Sequence, residues 1–189
     1  MPFLLFPPNL MRRLLLISLV SLSLTQGVAA QENAQADPAG QQASERISRV
    51  ISQKFGVARE KAQQISVAVM SSASKYSLPP ALLLAIISIE SRFKEKAKGA
   101  NGATGLMQVV PAAHKRLVRN VDLMEPEANI EVGSAILNGY LRSAQGDVDS
   151  ALKSYGGSKA YAEKVSLRAK SFEPVAPSVD ASADGMPSN

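Results

Sequence analysis

Between residues 44 and 170 the apolar positions recur every three or four residues, the period of α-helix rather than strand. Ile47, Val50, Ile51 and Phe55 fall on one stripe, and Gly56 closes it. A second stripe of Ile65, Ala68, Val69 and Ser72 predicts a helix over about 58–75, so residues 44–75 are expected to form a helical hairpin that serves as scaffold, with binding of a partner as the alternative. From Pro79-Pro80 the pattern changes. Ala81-Leu82-Leu83-Leu84-Ala85-Ile86-Ile87-Ser88-Ile89 is apolar around nearly its whole circumference, the mark of a helix enclosed by its own domain. Downstream, a short helix is expected from Pro111 to about Val118, a loop over 122–129, and a helix over 130–144 ended by Gly146. Asp147 should cap the next helix, with Val148, Ala151 and Leu152 facing inward, and a last helix should span 158–170. There is no repeat and no convincing strand, so the predicted class is all-α. Residues 31–43 are rich in Gln, Ala and Asp and read as a disordered linker. Residues 171–189 are rich in Pro, Ser, Ala and Asp and read as a disordered tail.

The buried helix delivers one acid, Glu90, at its end. Leu83, Ile86 and Ile87 share the face of Glu90 by the three-and-four spacing. An aliphatic wall disfavours a charged carboxyl, and the negative end of the helix dipole acts in the same direction. A Glu with a raised pKa can hold a proton near neutral pH and give it to a leaving oxygen. The competing reading is a surface carboxylate beside Arg92, since Glu is mostly exposed. A loop with glycines at 99, 102 and 105 follows and ends in Gly105-Leu106-Met107-Gln108, with Pro111 beyond. It suggests backbone lining a cleft. It is not a phosphate loop, because the Lys-Ser/Thr ending is absent.

This string resembles the soluble lytic transglycosylase (SLT) family, whose lysozyme-like domain is related in shape to goose-type lysozyme. The matching residues are Glu90, Ser91, Phe93, Ala97, Gly102, Ala103, Gly105, Leu106, Met107, Gln108 and Pro111, without gaps. Asn129-Ile130 with Gly133 and Leu137 resembles a second block. Ala151-Leu152 leading to Tyr155-Gly156-Gly157 resembles a third, and Tyr161 with Val165 fits the closing Tyr-x-x-x-Val. The resemblance covers roughly 75–168, with the catalytic domain drawn at 76–170. The chain departs from the family pattern at Gly99, Val110, Ile136 and Gly156, where Ser, Met, an aromatic and Asn are usual.

The resemblance implies cleavage of the β-1,4 bond between N-acetylmuramic acid and N-acetylglucosamine in peptidoglycan, with a 1,6-anhydro product. Glu90 would act as acid and then as base, and Tyr155 would hydrogen-bond near Glu90 and orient it. Ser91, Gly105, Met107, Gln108 and Asn129 would contact substrate. The sequence offers one well-placed acid and no obvious second, so a single-acid route fits the shortage. A hydrolytic lysozyme on the same scaffold, or a non-catalytic wall-binding or secretion-assembly module, are the alternatives.

Composition narrows the setting. Arg12-Arg13 precede an apolar run from Leu14, and Val28-Ala29-Ala30 offers a small-residue cleavage site before Gln31. Residues 1–30 therefore read as a signal peptide, with an uncleaved anchor as the alternative. A periplasmic location follows from that reading, with peptidoglycan strands as partner and cell-envelope or secretion machinery as a further candidate. The 189 residues contain no Cys and one His, which argues against disulfides and a structural zinc site. Neither a metal nor a cofactor is expected. Loss of residues 1–30 would remove two of the 21 basic residues and none of the 16 acidic ones, leaving a mildly basic chain. The basic residues are scattered and there is no Trp, so no nucleic-acid footprint is present.

Overall fold

The computed structural model describes residues 38–176. The signal peptide expected over 1–30, the first part of the linker and residues 177–189 lie outside them. Among the described residues there are six α-helices: α1 Pro38–Phe55, α2 Arg59–Tyr76, α3 Pro80–Glu90, α4 Pro126–Ser143, α5 Val148–Gly156 and α6 Lys159–Lys170. Among the described residues, extended pairing is limited to isolated bridges from Thr104 to Lys98 and to Val109. Among the described residues the class is all-α, as expected.

Helix α3 is the centre of the core. Pro80 occupies its first turn, where a missing N–H costs nothing, and every residue from Pro80 to Ser88 is buried. Its all-round apolar surface is explained by its neighbours, because it packs against α2 on one side and α6 on another. Helices α1 and α2 form the expected hairpin, and α2 also packs on α4, which makes the hairpin part of the same core. Ile47, Ile51, Ile65 and Val69 join Leu83, Leu84, Ile86 and Ile87 in one continuous apolar cluster. Helix α2 ends with Ser77 in the left-handed conformation, and Leu78 N–H closes on the Ala73 carbonyl at 2.9 Å. Across the hairpin's far side, Tyr76 donates to Glu131 at 2.6 Å and Lys75 pairs with the same carboxylate, tying α2 to α4.

Five expectations need correction, the first being Val148, expected to face inward but 42% exposed at the start of α5, where only Ala151 and Leu152 are buried. Helix α1 starts at Pro38, so residues 38–43 are helical rather than linker. Ala43 and Ser44 are buried, and Ser44 Oγ meets Ser66 Oγ of α2 at 2.9 Å. Residues 111–118 form successive turns rather than a helix, bonded mainly three residues back instead of four, as in His114 N–H to the Pro111 carbonyl and Leu117 N–H to that of His114. Val118 packs against Val109, Leu123, Val132 and Ile136, but Leu117 is 46% exposed, so the segment buries too little to hold a full helix. Helix α4 begins at Pro126, not near 130, because proline suits a first turn and Asn129 N–H already bonds the Glu125 carbonyl at 3.0 Å. Glu125 and Glu127 therefore flank a helix start, where the dipole favours acids. The tail is ordered further than expected, since Phe172 and Ala176 are buried. The Asp147 cap is present and accepts from Ser150 N–H at 2.8 Å.

Because the hairpin shares one core with α3, Ile65→Ala and Ile51→Ala should each cost about 2–5 kcal/mol. Calorimetry should show one cooperative transition shifted down in both variants, not two.

Candidate active site

Glu90 is the last residue of α3, half-buried where the helix stops. The stop is abrupt. Ser91 N–H and Ser91 Oγ both donate to the Ile87 carbonyl at 3.1 Å, which uses up the helix end. Arg92 and Phe93 then take left-handed backbone, φ 54° and 62°, which costs an L-residue roughly 1–2 kcal/mol each. The compensation is burial of Phe93, whose ring lies 4.5 Å from Phe55 of α1 and 6.4 Å from Phe172 beyond α6. The chain is thus turned away behind the acid, and the carboxyl is left at the helix tip.

Tyr161 of α6 donates to Glu90 Oε1 at 2.6 Å. Burial pushes the Glu90 carboxyl above its ordinary range, while the Tyr161 bond and the charge of Lys164 pull the other way. Burial and the neighbouring Glu90 push both Tyr161 and Tyr155 far above the ordinary phenol range, so both are neutral donors. The expectation that Tyr155 holds Glu90 is corrected: Tyr155 hydroxyl donates to the Met107 carbonyl at 2.9 Å. Tyr161 takes the place because a tight turn separates the two tyrosines. Gly157 is left-handed at φ 80°, and Ser158 caps α6 by accepting from Tyr161 N–H at 3.1 Å. A Cβ at Gly156 would lie 2.2 Å from the Tyr161 ring, so glycine at 156 lets that ring lie on the backbone. Tyr161 was legible as part of the Tyr-x-x-x-Val spacing, but its partner was not.

The Gly-Leu-Met-Gln turn is built around Asn129. Asn129 is 1% exposed. Its Oδ1 accepts from Met107 N–H at 2.7 Å, and its Nδ2 donates to the Thr104 and Leu123 carbonyls at 2.8 Å each. The role expected for Asn129 in contacting substrate is corrected, since this side chain is committed inside the protein. Gly105, at φ 80°, is required by the same packing: a Cβ there would lie 2.1 Å from Asn129 Nδ2. Met107 is fully buried with both backbone groups bonded, so it does not line a cleft. Ser91 is buried with its hydroxyl on Ile87. Of the five residues expected to contact substrate, Gln108 alone is partly exposed. Its Nε2 spans the loop to the carbonyls of Gly105 at 2.9 Å and Ala97 at 3.2 Å. Gly99 accommodates it, since a Cβ there would meet Gln108 Oε1 at 2.2 Å. Among the described residues no group of His, Cys, Asp and Glu is arranged to hold a metal ion.

The profile of the transglycosylase SLT domain matches residues 68–174. The chain is 36% identical over 88 residues to a transglycosylase of Enterobacteria phage PRD1, a match covering 46% of this chain and 32% of the phage protein. It is 33% identical over 110 residues to membrane-bound lytic murein transglycosylase E of Buchnera aphidicola, covering 52% of this chain and 51% of that one. The chain thus spans about half, or less, of the length of these relatives. A solved structure of an inactive mutant of lytic transglycosylase Slt from Pseudomonas aeruginosa aligns at 23% identity and TM-score 0.45, over 58% of this chain and 21% of that one. The chain belongs to the transglycosylase SLT domain family.

Two outcomes follow from the geometry. Asn129→Ala leaves buried N–H and carbonyl groups unpaired and should cost about 3 kcal/mol or more, read by chemical denaturation. Glu90→Gln keeps the Tyr161 bond and removes a carboxyl whose folded pKa is raised. The folded protein holds this proton more tightly than the unfolded chain, so wild-type stability falls as pH rises from the ordinary Glu range through the folded pKa. Glu90→Gln should therefore melt at or above wild type near pH 7, and the gain should vanish as pH falls below about 4.

Proposed function

We propose that this protein is an exported peptidoglycan lytic transglycosylase with Glu90 as its acid and base. The observation that carries the reading is a half-buried carboxyl at the tip of an apolar helix, protonated more readily than usual and held by a neutral tyrosine. Membership of the SLT domain family supports the substrate class, as does the name of the Buchnera relative, a lytic murein transglycosylase. The side-chain partner of Glu90 is Tyr161 and the charge acting on it is that of Lys164. A mechanism that needs one acid fits that arrangement.

Glu90 gives its proton to the glycosidic oxygen, and the bond from that oxygen to muramoyl C1 breaks. The N-acetylglucosamine end leaves as an alcohol. The 2-acetamido group of the muramoyl sugar supports the electron-poor C1. The Glu90 carboxylate then takes the proton of the muramoyl C6 hydroxyl, and O6 bonds to C1. The 1,6-anhydro ring closes, Glu90 is protonated again, and no water is consumed. Tyr161 steadies the carboxylate between the two proton transfers by donating to Oε1. Tyr155 acts one layer behind by holding the Met107 carbonyl. Export to the periplasm rests on the reading of residues 1–30. Among the described residues no helix is long and apolar enough to cross a membrane.

Mass spectrometry of products released from purified sacculi tests the reading. Anhydro-muramoyl ends are expected; a hydrolysed reducing end would assign the protein to the lysozymes, and no release would leave a wall-binding module. Glu90→Gln should lower turnover by about 10²–10⁴-fold. Tyr161→Phe removes a bond that favours the carboxylate, so the pH limb belonging to Glu90 should move upward. Tyr155→Phe should leave that limb in place and cost about 1–2 kcal/mol of stability.

A further inference from the structure

A second feature of α6 faces the same way as Tyr161. Positions 161, 164 and 168 share one helix face, spaced by three and four residues. Tyr161 bonds the acid, Lys164 acts on it through space, and Arg168 lies about 10 Å further along the axis at 1.5 Å per residue. At that end is a pocket of about 400 Å³ lined by Lys54, Phe55, Lys164, Leu167, Arg168 and Phe172, together with Ser171. No acid lines it. Among the described residues the ion pairs are Lys61 with Glu95, Lys75 with Glu131 and Lys159 with Glu163, so Lys54, Lys164 and Arg168 stand in no ion pair, and Lys164 acts on Glu90 only through space. The pocket floor is aromatic, because Phe55 and Phe172 both pack on Phe93.

Three unpaired cations over an aromatic floor, reached from the acid along a single helix face, suit a branched substrate whose branch is anionic. We propose that the pocket bounded by Lys54, Lys164 and Arg168 is a subsite for the acidic peptide stem carried by the muramoyl sugar next to the cleaved bond. This rests on the assignment of peptidoglycan as substrate. Three extended residues span about 10 Å, which matches the distance from Tyr161 to Arg168 along α6. Arg168 and Lys54 would take stem carboxylates, Leu167 and the phenylalanine edges would cover the methylenes, and Lys164 would bridge the subsite and the reacting sugar. Leu167, 72% exposed, is an apolar side chain left open beside the cations.

Two measurements on the full chain test this. The first is a calorimetric titration of Glu90→Gln with a free stem-type tripeptide, Ala-Glu-diaminopimelate, and with the same peptide amidated at its carboxylates. Binding with Kd on the order of 1 mM, weakened by salt and absent for the amidated peptide, is expected. Adding Arg168→Glu or Lys54→Glu should weaken it about fivefold or more; both side chains are exposed, so folding is unaffected. Equal binding of the amidated peptide, or no response to either reversal, would overturn the subsite. The second measurement compares cleavage of peptide-bearing glycan strands with strands stripped by an amidase. Wild type should favour the peptide-bearing strands through a lower KM, and Arg168→Glu should shrink that preference without changing the kcat ratio. Cleavage of both strands at equal efficiency would remove the subsite while leaving the transglycosylase reading intact. Peptide binding without cleavage of either strand would do the reverse.

Discussion

The hydrogen bond from Tyr161 to Glu90 is the contact on which the site depends. A carboxyl at the tip of an apolar helix can lower its energy by turning to water or by keeping its proton. Tyr161 offers a third course, a fixed donor that neither carries charge nor accepts the proton at neutral pH. It eases the ionised state while burial still holds the carboxyl above its ordinary range, and opposed pulls of that kind suit a group that must alternate between the two. The bond also joins the last residue of α3 to the first turn of α6, so the acid is held by two elements far apart in sequence.

Around that contact, polar groups are spent on architecture. Asn129 fastens the Gly-Leu-Met-Gln turn from three directions, Tyr155 holds the same turn from behind, and Gln108 spans the loop before it. The residues that make the family signature recognisable are therefore mainly those that hold this turn together, with the Asn129, Met107 and Ser91 side chains buried.

The helical period and the all-round apolar character of α3 placed Glu90 at the helix tip correctly, because both follow from local spacing. The turns over 111–118 look like a helix in sequence because proline followed by good helix formers reads as a start, and spacing alone does not reveal that Val118 is packed while Leu117 is left exposed. The start of α1 at Pro38 was hidden for the opposite reason: Ala43 and Ser44 look like linker residues until Ser66 is seen opposite. The exchange of roles between Tyr155 and Tyr161 could not be read from sequence at all. It depends on a ring settling over Gly156, a contact set by three-dimensional crowding. Asn129 misled in a similar way, since a polar residue in a family motif invites a ligand role and gives no sign of being sealed inside.

Phe93 carries an implication for where this protein begins and ends as a physical object. The profile match starts at residue 68, inside α2, yet the side chain that keeps the strained turn behind Glu90 in place rests on Phe55 of α1. The border of sequence similarity and the border of the folding unit are different lines. A fragment trimmed to the recognisable motif would keep every signature residue and lose the anvil against which the backbone at 92–93 is bent.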